Sequence, residues 1–313
     1  MTRSHNQMDI EICVCTFRRP GVTETLASLT RMSVPPQVNV SVLVIDNDTA
    51  PTAQQNVLAF AQNAPLQIRY VHCPSGNISI ARNGALQHSH ARFLAFIDDD
   101  ETVAQDWLLQ MVKTARATKA DVVLGPVNAV YGDFAPSWMK SKQVHSTRPV
   151  WVNGAIKTGY TCNVLIDREK SVVSDLSFDL ALGRSGGEDT KYFSQVTAAG
   201  GVIAYAKDAF VYEPVPDSRT SFKWLMHRKF RAGQTHGHLT GAGKSGLARV
   251  KLMMSATAKL GYCTGVALLN LGSESKRNSA FLRGTLHAGT FMGLIGMREL
   301  QQYGLKMGEV PQR

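Results

Sequence analysis

The chain has 313 residues, 44% of them hydrophobic and 19% charged, enough apolar material for a real core and too little charge for an intrinsically disordered protein. Its net charge of +10 is unevenly placed: residues 219–313 hold 15 Lys/Arg against three acids, Glu274, Glu299 and Glu309, so the part before them carries −2. A near-neutral body with a basic tail points to a phosphate-rich partner, either a membrane surface, nucleic acid or a diphosphate-bearing substrate.

The five cysteines, Cys13, Cys15, Cys73, Cys162 and Cys263, are odd in number and widely spread, which fits reduced thiols in a cytosolic protein. Cys13 and Cys15 are two apart in an apolar run, so both should point to one face. The opening MTRSHNQMDIEICV contains no uninterrupted apolar segment of the secretory type.

In chain order, IEICVCTF (10–17) reads as a buried strand. The next segment places Val22, Leu26 and Leu29 on one helical face behind Pro20. VNVSVLVIDND (38–48) is a second strand, followed by a helix from Thr52 towards Asn63; LQIRYVHC (66–73) is a third, followed by a helix starting near Asn77. RFLAFID is a fourth strand before the helix AQDWLLQMVKTARA, and DVVLGPVNAVY (121–131) reads as a fifth. The pattern then breaks over residues 132–150, which read as a loop. GYTCNVLIDR resumes as a strand, GGEDTKYFSQVTAAG as a glycine turn into a helix, and GVIAYAKDAFVYEPVP as a strand pair or one bent strand. Beyond Pro216 the chain becomes helical, basic and rich in Met and Leu. Domain limits of 1–217 and 218–313 follow. The alternation of strand and helix predicts an α/β fold with a mostly parallel sheet covered on both faces. Ligands of such sheets bind at the carboxyl ends of the strands, so Thr16, Asp46 and the run Asp98, Asp99, Asp100 should share one edge.

Three aspartates leaving a buried strand need a positive companion. Carboxylates two apart in an extended segment point the same way, so Asp98 and Asp100 can face one divalent cation, Mg²⁺ or Mn²⁺, together with substrate phosphates. The alternative is a solvated turn in which Asp99 or Asp100 caps the next helix. Glu188 and Asp189 follow two glycines into a helix, where one can serve as general base or both can simply favour the helix dipole. Asp46 can accept hydrogen bonds from a ribose or base. Arg82 and Asn83 lie on a helix near the same edge, where Arg82 can pair with acids or phosphates or stay a surface arginine.

Together VCTFRRP, VIDND, GNISIARNGAL, FIDDDE and GGEDTKYF resemble, in that order, the family 2 inverting glycosyltransferases of GT-A fold. Among these the chain is most similar to the bacterial exopolysaccharide enzymes of succinoglycan type, over about residues 9–236. The resemblance implies that Thr16, Phe17, Arg18, Asp46, Arg82, Asp98 and Asp99 line the nucleotide, with Arg82 near the diphosphate. It further implies that Asp100 and Asp98 bind the metal, that Asp189 is the base and that Glu188 supports it. Many relatives place a histidine near the end of the last core strand; here Glu213 stands there as a third metal candidate, with His227, Arg228 or Arg231 available for a positive contact. The implied partners are a nucleotide-sugar donor and a glycan or lipid-linked oligosaccharide acceptor at the inner face of the cell membrane. The stretches 247–272 and 280–297 read as too interrupted to span a bilayer and suit an anionic surface better, unless they pack on the core. A nucleotidyltransferase is disfavoured by the bulky CTFRRPG where a glycine loop would stand, and a dehydrogenase by the lack of G-x-G-x-x-G. A non-catalytic binding protein on the same scaffold is disfavoured by the joint presence of Asp98, Asp100 and Asp189. Nucleic acid is not expected, because no recognisable module accompanies the basic tail.

Overall fold

The computed structural model describes residues 7–297; the end of the basic tail, residues 298–313, and the first six residues lie outside them. The first strand, β1 (Met8–Thr16), alternates faces: Ile10, Ile12 and Val14 enter one apolar layer and Cys13 the other. Helix α1 (Val22–Arg31) buries Val22, Leu26 and Leu29 in the first layer, as their spacing predicts. There follow β2 (Val38–Asp46), α2 (Gln54–Ala61), β3 (Gln67–His72), α3 (Ile78–His88) and β4 (Phe93–Asp98). Asn77 caps α3 by accepting hydrogen bonds from the Ser79 and Ile80 amides. After β4 a turn leads to β5 (Thr102–Val103) and then to α4 (Trp107–Thr118). Neither Asp99 nor Asp100 therefore caps the next helix.

Two readings of the middle of the chain are corrected. The predicted fifth strand is two, β6 (Val122–Leu124) and β7 (Val127–Tyr131), parted at Gly125–Pro126, where proline cannot extend the ladder. The aperiodic segment contains α5 (Ser137–Lys142), whose Trp138 and Met139 are buried against Leu225 and Leu282 of the C-terminal helices. After the hairpin β8 (Trp151–Val152) and β9 (Ala155–Ile156) comes β10 (Asn163–Asp167), which runs antiparallel to both β4 and β6. Its unbroken apolar pattern is that of a doubly covered strand and does not report direction.

The main sheet has seven strands in the order β11-β6-β10-β4-β1-β2-β3. Short α6 (Ser171–Ser174) and α7 (Glu188–Ala198) precede β11 (Ile203–Tyr205) and β12 (Val211–Val215), and β12 joins β5 and β7 in a second, three-stranded sheet. Helices α1, α2 and α4 cover one face of the main sheet, α3 and α7 the other. Parallel β2–β1–β4 pairing aligns Thr16 with Asp46 and Cys15 with Asp98, so the expected strand ends do meet at one edge.

The C-terminal part is three helices, α8 (Phe222–Gly241), α9 (Gly246–Leu269) and α10 (Glu274–Leu294). Glycine decides how α8 and α10 cross. A Cβ on Gly289 or Gly293 would overlap the Phe230 or Gln234 carbonyl oxygen, and one on Gly233 or Gly237 would overlap the Leu286 or Thr290 carbonyl. Two G-x-x-x-G pairs therefore let the backbones touch, the small-residue packing familiar from membrane helices. A neutral histidine ties these helices to the sheets. His145 is buried, and its Nε2 contacts the Arg219 carbonyl at 3.1 Å, which can only accept; Nε2 therefore carries the proton and Nδ1 accepts from the Tyr131 hydroxyl. Its ring stacks on Trp224 of α8. Burial, with Arg228, Arg219 and Lys229 nearby, pushes its pKa down to about 4.

Candidate active site

At the end of β1 the chain turns sharply, because Arg18 adopts a left-handed backbone (φ 52°). The two consecutive arginines consequently part. Arg18 pairs with Asp48 at 3.1 Å beyond β2, whereas Arg19 returns to the aspartate run, reaching Asp99 at 3.2 Å and Asp100 at 3.0 Å. Arg19 is thus one positive companion that the run requires, and sequence reading passed over it. Asp99 is fixed further by the Thr16 hydroxyl at 2.7 Å and the Phe17 amide. Thr16 is buried, while Phe17 is half-buried and Arg18 exposed beside it.

Asp98 and Asp100 do not follow simple alternation, since the strand ends at Asp98 and turns. Asp100 goes to Arg19. Asp98 groups instead with Glu101 and Cys162, whose ligand atoms all lie within 4.8 Å of one another. Glu101 also accepts the Asp98 amide at 2.9 Å and so holds the turn. Neither Glu101 nor Cys162 was among the expected site residues; the fourth acid of FIDDDE was the available signal for the former. Burial, outweighing Arg82 and reinforced by Asp100 and Glu213, raises the Asp98 carboxyl to about 7. Burial also raises Asp99, Glu101 and Glu213. Crowded, desolvated carboxyls of this kind fit a divalent cation, which supplies the charge that the protein side chains leave short.

Glu213 joins this group from β12. It pairs with Arg219 at 3.1 Å and is opposed electrostatically by Asp100. Arg228 is close enough to favour its ionised form, while Arg231 turns away to the Ser185 carbonyl.

Arg82, buried on α3, is ion-paired with Glu188 of α7 and also feels Asp98 and Asp189. It is the second positive companion of the aspartates, and no surface arginine. The other oxygen of Glu188, Oε2, is buried without a hydrogen-bond partner. Asp189 lies in the first turn of α7, half-exposed, its Oδ1 accepting the Thr190 amide. Gly186 and Gly187 before it are both left-handed, and a Cβ on Gly187 would strike Thr235 of α8. The close approach that those glycines allow is thus made by a helix.

Two expected contacts have other duties. Asp46 is fully enclosed, accepting from the Ala53 amide at 2.9 Å, the Tyr70 hydroxyl at 2.7 Å and the Asp48 amide at 3.1 Å. It shapes the 47–53 loop and offers no open face to a nucleoside. Asn83 clamps the Phe178 backbone with two hydrogen bonds of 2.8 Å and points out of the site.

The Glycosyl transferase family 2 profile matches residues 11–172, which contain the whole acidic strand edge. This chain is a family 2 glycosyltransferase. It is 49% identical over 299 residues to the succinoglycan biosynthesis protein ExoM of Rhizobium meliloti, covering 96% of this chain and 97% of that one. A glucosyl-dolichyl phosphate glucuronosyltransferase of Haloferax volcanii is 23% identical over 72% of this chain and 75% of that one. Solved GT-A enzymes share the fold. A mannosyltransferase from Pyrobaculum calidifontis, in complex with GDP-Man and Mn²⁺, superposes with a TM-score of 0.62 at 19% identity, covering 93% of this chain and 88% of that one. The S. aureus TarS fragment in complex with UDP-GlcNAc does so with a TM-score of 0.54 at 16% identity, covering 96% and 99%. The family 2 chain therefore carries its acidic edge on a GT-A scaffold, with a donor set that suits a divalent cation.

Proposed function

We propose that this glycosyltransferase moves a hexose from a nucleoside diphosphate sugar, a UDP-hexose, onto a glycan hydroxyl with inversion at the anomeric carbon. The observation that carries this reading is the position of Arg82, buried between the aspartate run and the Glu188–Asp189 pair and in electrostatic contact with both. It links a charge-neutralising edge and a half-exposed carboxylate through one buried guanidinium.

In this mechanism Asp98, Asp100 and Glu213 would hold the cation, Mn²⁺ or Mg²⁺, with Asp100 turning from Arg19 to the metal and Glu101 fixing the turn from which Asp98 projects. When bound, that cation neutralises charge on the departing diphosphate. Thr16, Phe17, Arg18 and Asp99 line the nucleotide, Asp46 acting on it only through the loop that it orders. Arg82 lies beside the diphosphate and Glu188 keeps it in place. Asp189 accepts the proton of the acceptor hydroxyl as that oxygen bonds to the anomeric carbon. The bond to the diphosphate breaks on the opposite side, and the diphosphate leaves with the electron pair.

The acceptor is a lipid-linked oligosaccharide of exopolysaccharide or other cell-surface polysaccharide assembly, worked on at the cytoplasmic face of the membrane. Near full-length identity to the succinoglycan protein supports this assignment. Donor binding and catalysis fall to the unit 1–217, and 218–313 is the basic region, helical across its described helices α8 to α10. The test is nucleotide release from a panel of nucleotide sugars, with and without Mn²⁺ or Mg²⁺. One donor should be turned over, only with a divalent cation, and the glycoside formed should have the opposite anomeric configuration by NMR. Release from no donor, release undiminished by a chelator, or a product of retained configuration would refute the corresponding part.

A further inference from the structure

Helix α9 is 24 residues long, about 36 Å at 1.5 Å per residue. The sequence led us to expect too short an apolar run, yet α9 is one continuous helix whose most apolar window reaches a mean hydropathy of 1.3, long and apolar enough by those measures to cross a bilayer. Its inner side, with Ala256, Cys263 and Ala267 buried, packs along α10. Its outer side is open: Leu247 is 70% exposed, Met254 67%, Tyr262 71% and Leu269 88%, with Val250 and Leu268 between them. The spacings of three, four, seven and eight put these residues on one stripe. A Cβ added at Gly261 or Gly265 on that stripe would meet no neighbouring atom, unlike one on the crossing glycines of α8 and α10. At one end the stripe runs on into exposed Leu271. At the other it reaches exposed Ile295 and Met297, where Arg249 Nε donates to the Leu294 carbonyl and fixes the end of α10 against the start of α9.

A single protein chain seldom leaves so long an apolar row open to water. Charge chooses between the two occupants that could cover it. Residues 246–297 hold six Lys/Arg, Arg249, Lys251, Lys259, Lys276, Arg277 and Arg283, and one acid, Glu274. A second copy docked about a two-fold axis would set Lys251 and Lys259 near their own images, with almost no acid to answer them. An anionic lipid surface answers all six. Packing decides the orientation. The inner side of α9 is joined to α10, and α10 through Leu282 to α5 of the catalytic part, so upright insertion would drag charged neighbours into hydrocarbon.

We propose that α9 lies in the plane of an anionic membrane interface as an embedded helix. Leu247, Val250, Met254, Tyr262, Leu268 and Leu269 enter the acyl boundary, while Lys251 and Lys259 reach back to the headgroups. The proposal rests on the membrane-side reading of function only for its cellular setting; donor chemistry does not depend on it.

The test uses the full chain and vesicle flotation, with phosphatidylcholine alone and with phosphatidylglycerol added. Binding should require the anionic lipid and weaken with salt. The double substitution Met254→Glu/Leu269→Glu, at exposed positions outside the catalytic site, should reduce binding roughly tenfold or more while leaving circular dichroism and donor hydrolysis unchanged. Single Leu247→Trp and Leu269→Trp reporters should be quenched alike, and only by bromines placed shallow in the acyl chains. Flotation that survives the double substitution, deep quenching at either reporter, or no vesicle binding by the native chain would overturn the proposal. So would light scattering that shows a dimer dispersed by the double substitution, because a second copy would then cover the stripe. Vesicle binding that fails while nucleotide release persists leaves the proposed chemistry standing.

Discussion

The acidic edge of the sheet and the C-terminal helices solve opposite problems. At the edge, backbone pairing brings Thr16, Asp46 and Asp98 together from distant parts of the chain, and like charges are tolerated because Arg19 and Arg82 stand among them. In the helices almost no charge is buried. Order there comes from glycines that let α8 and α10 touch, and the third helix keeps an apolar side open. The difference teaches where each region is vulnerable: the edge to loss of one charge, the helices to gain of one methyl group.

The largest expected effect falls on chemistry. Asp189→Asn keeps the size of the side chain but cannot take a proton, so transfer should fall about 10²–10⁴-fold with nucleotide affinity nearly unchanged. Calorimetry beside a transfer assay checks both, and a rate equal to that of the native enzyme would remove Asp189 from its role. Next comes the buried pair. Arg82→Met should cost about 3–5 kcal/mol of stability, because it strands the Glu188 charge in the interior; denaturant unfolding measures it. In the helices, Gly289→Ala should cost about 1–3 kcal/mol by forcing the α8 and α10 backbones apart. Equal stability of that variant would show that the crossing is looser than the structure has it.

A pH series sharpens the comparison, since the two regions carry opposite signs. His145 is held neutral in the fold, so the unfolded chain binds the extra proton between the ordinary histidine value and about 4. Its contribution is complete above that window and is lost as pH falls, about 1–2 kcal/mol between pH 6.5 and 5. His236 and His287, also pushed down by burial, add in the same direction. The raised carboxyls of the edge act the other way, so the informative quantity is the difference between native protein and His145→Asn, and the variant should lose less stability than the native chain as pH falls from 6.5 to 5. The smallest effect is Gly261→Ala on the open stripe of α9, which should stabilise by up to about 1 kcal/mol through helix propensity.

Much of the edge was legible because strand ends and β-α alternation are local patterns: Thr16, Asp46 and Asp98 end adjacent strands at one edge, and Arg82 and Asp189 lie on the helices expected there. What those patterns could not show depends on backbone turns. One left-handed residue at Arg18 sends neighbouring arginines to different acids, and the turn after Asp98 sends Asp100 to Arg19 and brings Glu101 and Cys162 beside Asp98. Burial hid the duty of Asp46, as no spacing reveals that all its hydrogen bonds close inward. The direction of β10 was equally hidden, because a strand covered on both faces looks alike either way. The crossing of α8 and α10 was readable in principle from glycines four apart at 233 and 237 and at 289 and 293, a signal that the hydrophobic pattern overshadowed.

The central claim concerns the cation at the acidic edge, and one diffraction measurement addresses it directly. Crystals soaked with a nucleotide sugar and Mn²⁺ should give a single anomalous peak at coordination distance from Asp98 or Asp100, with the diphosphate on its other side and Asp189 across the site. A nucleotide bound without such a peak, or a peak remote from both aspartates, would contradict the account.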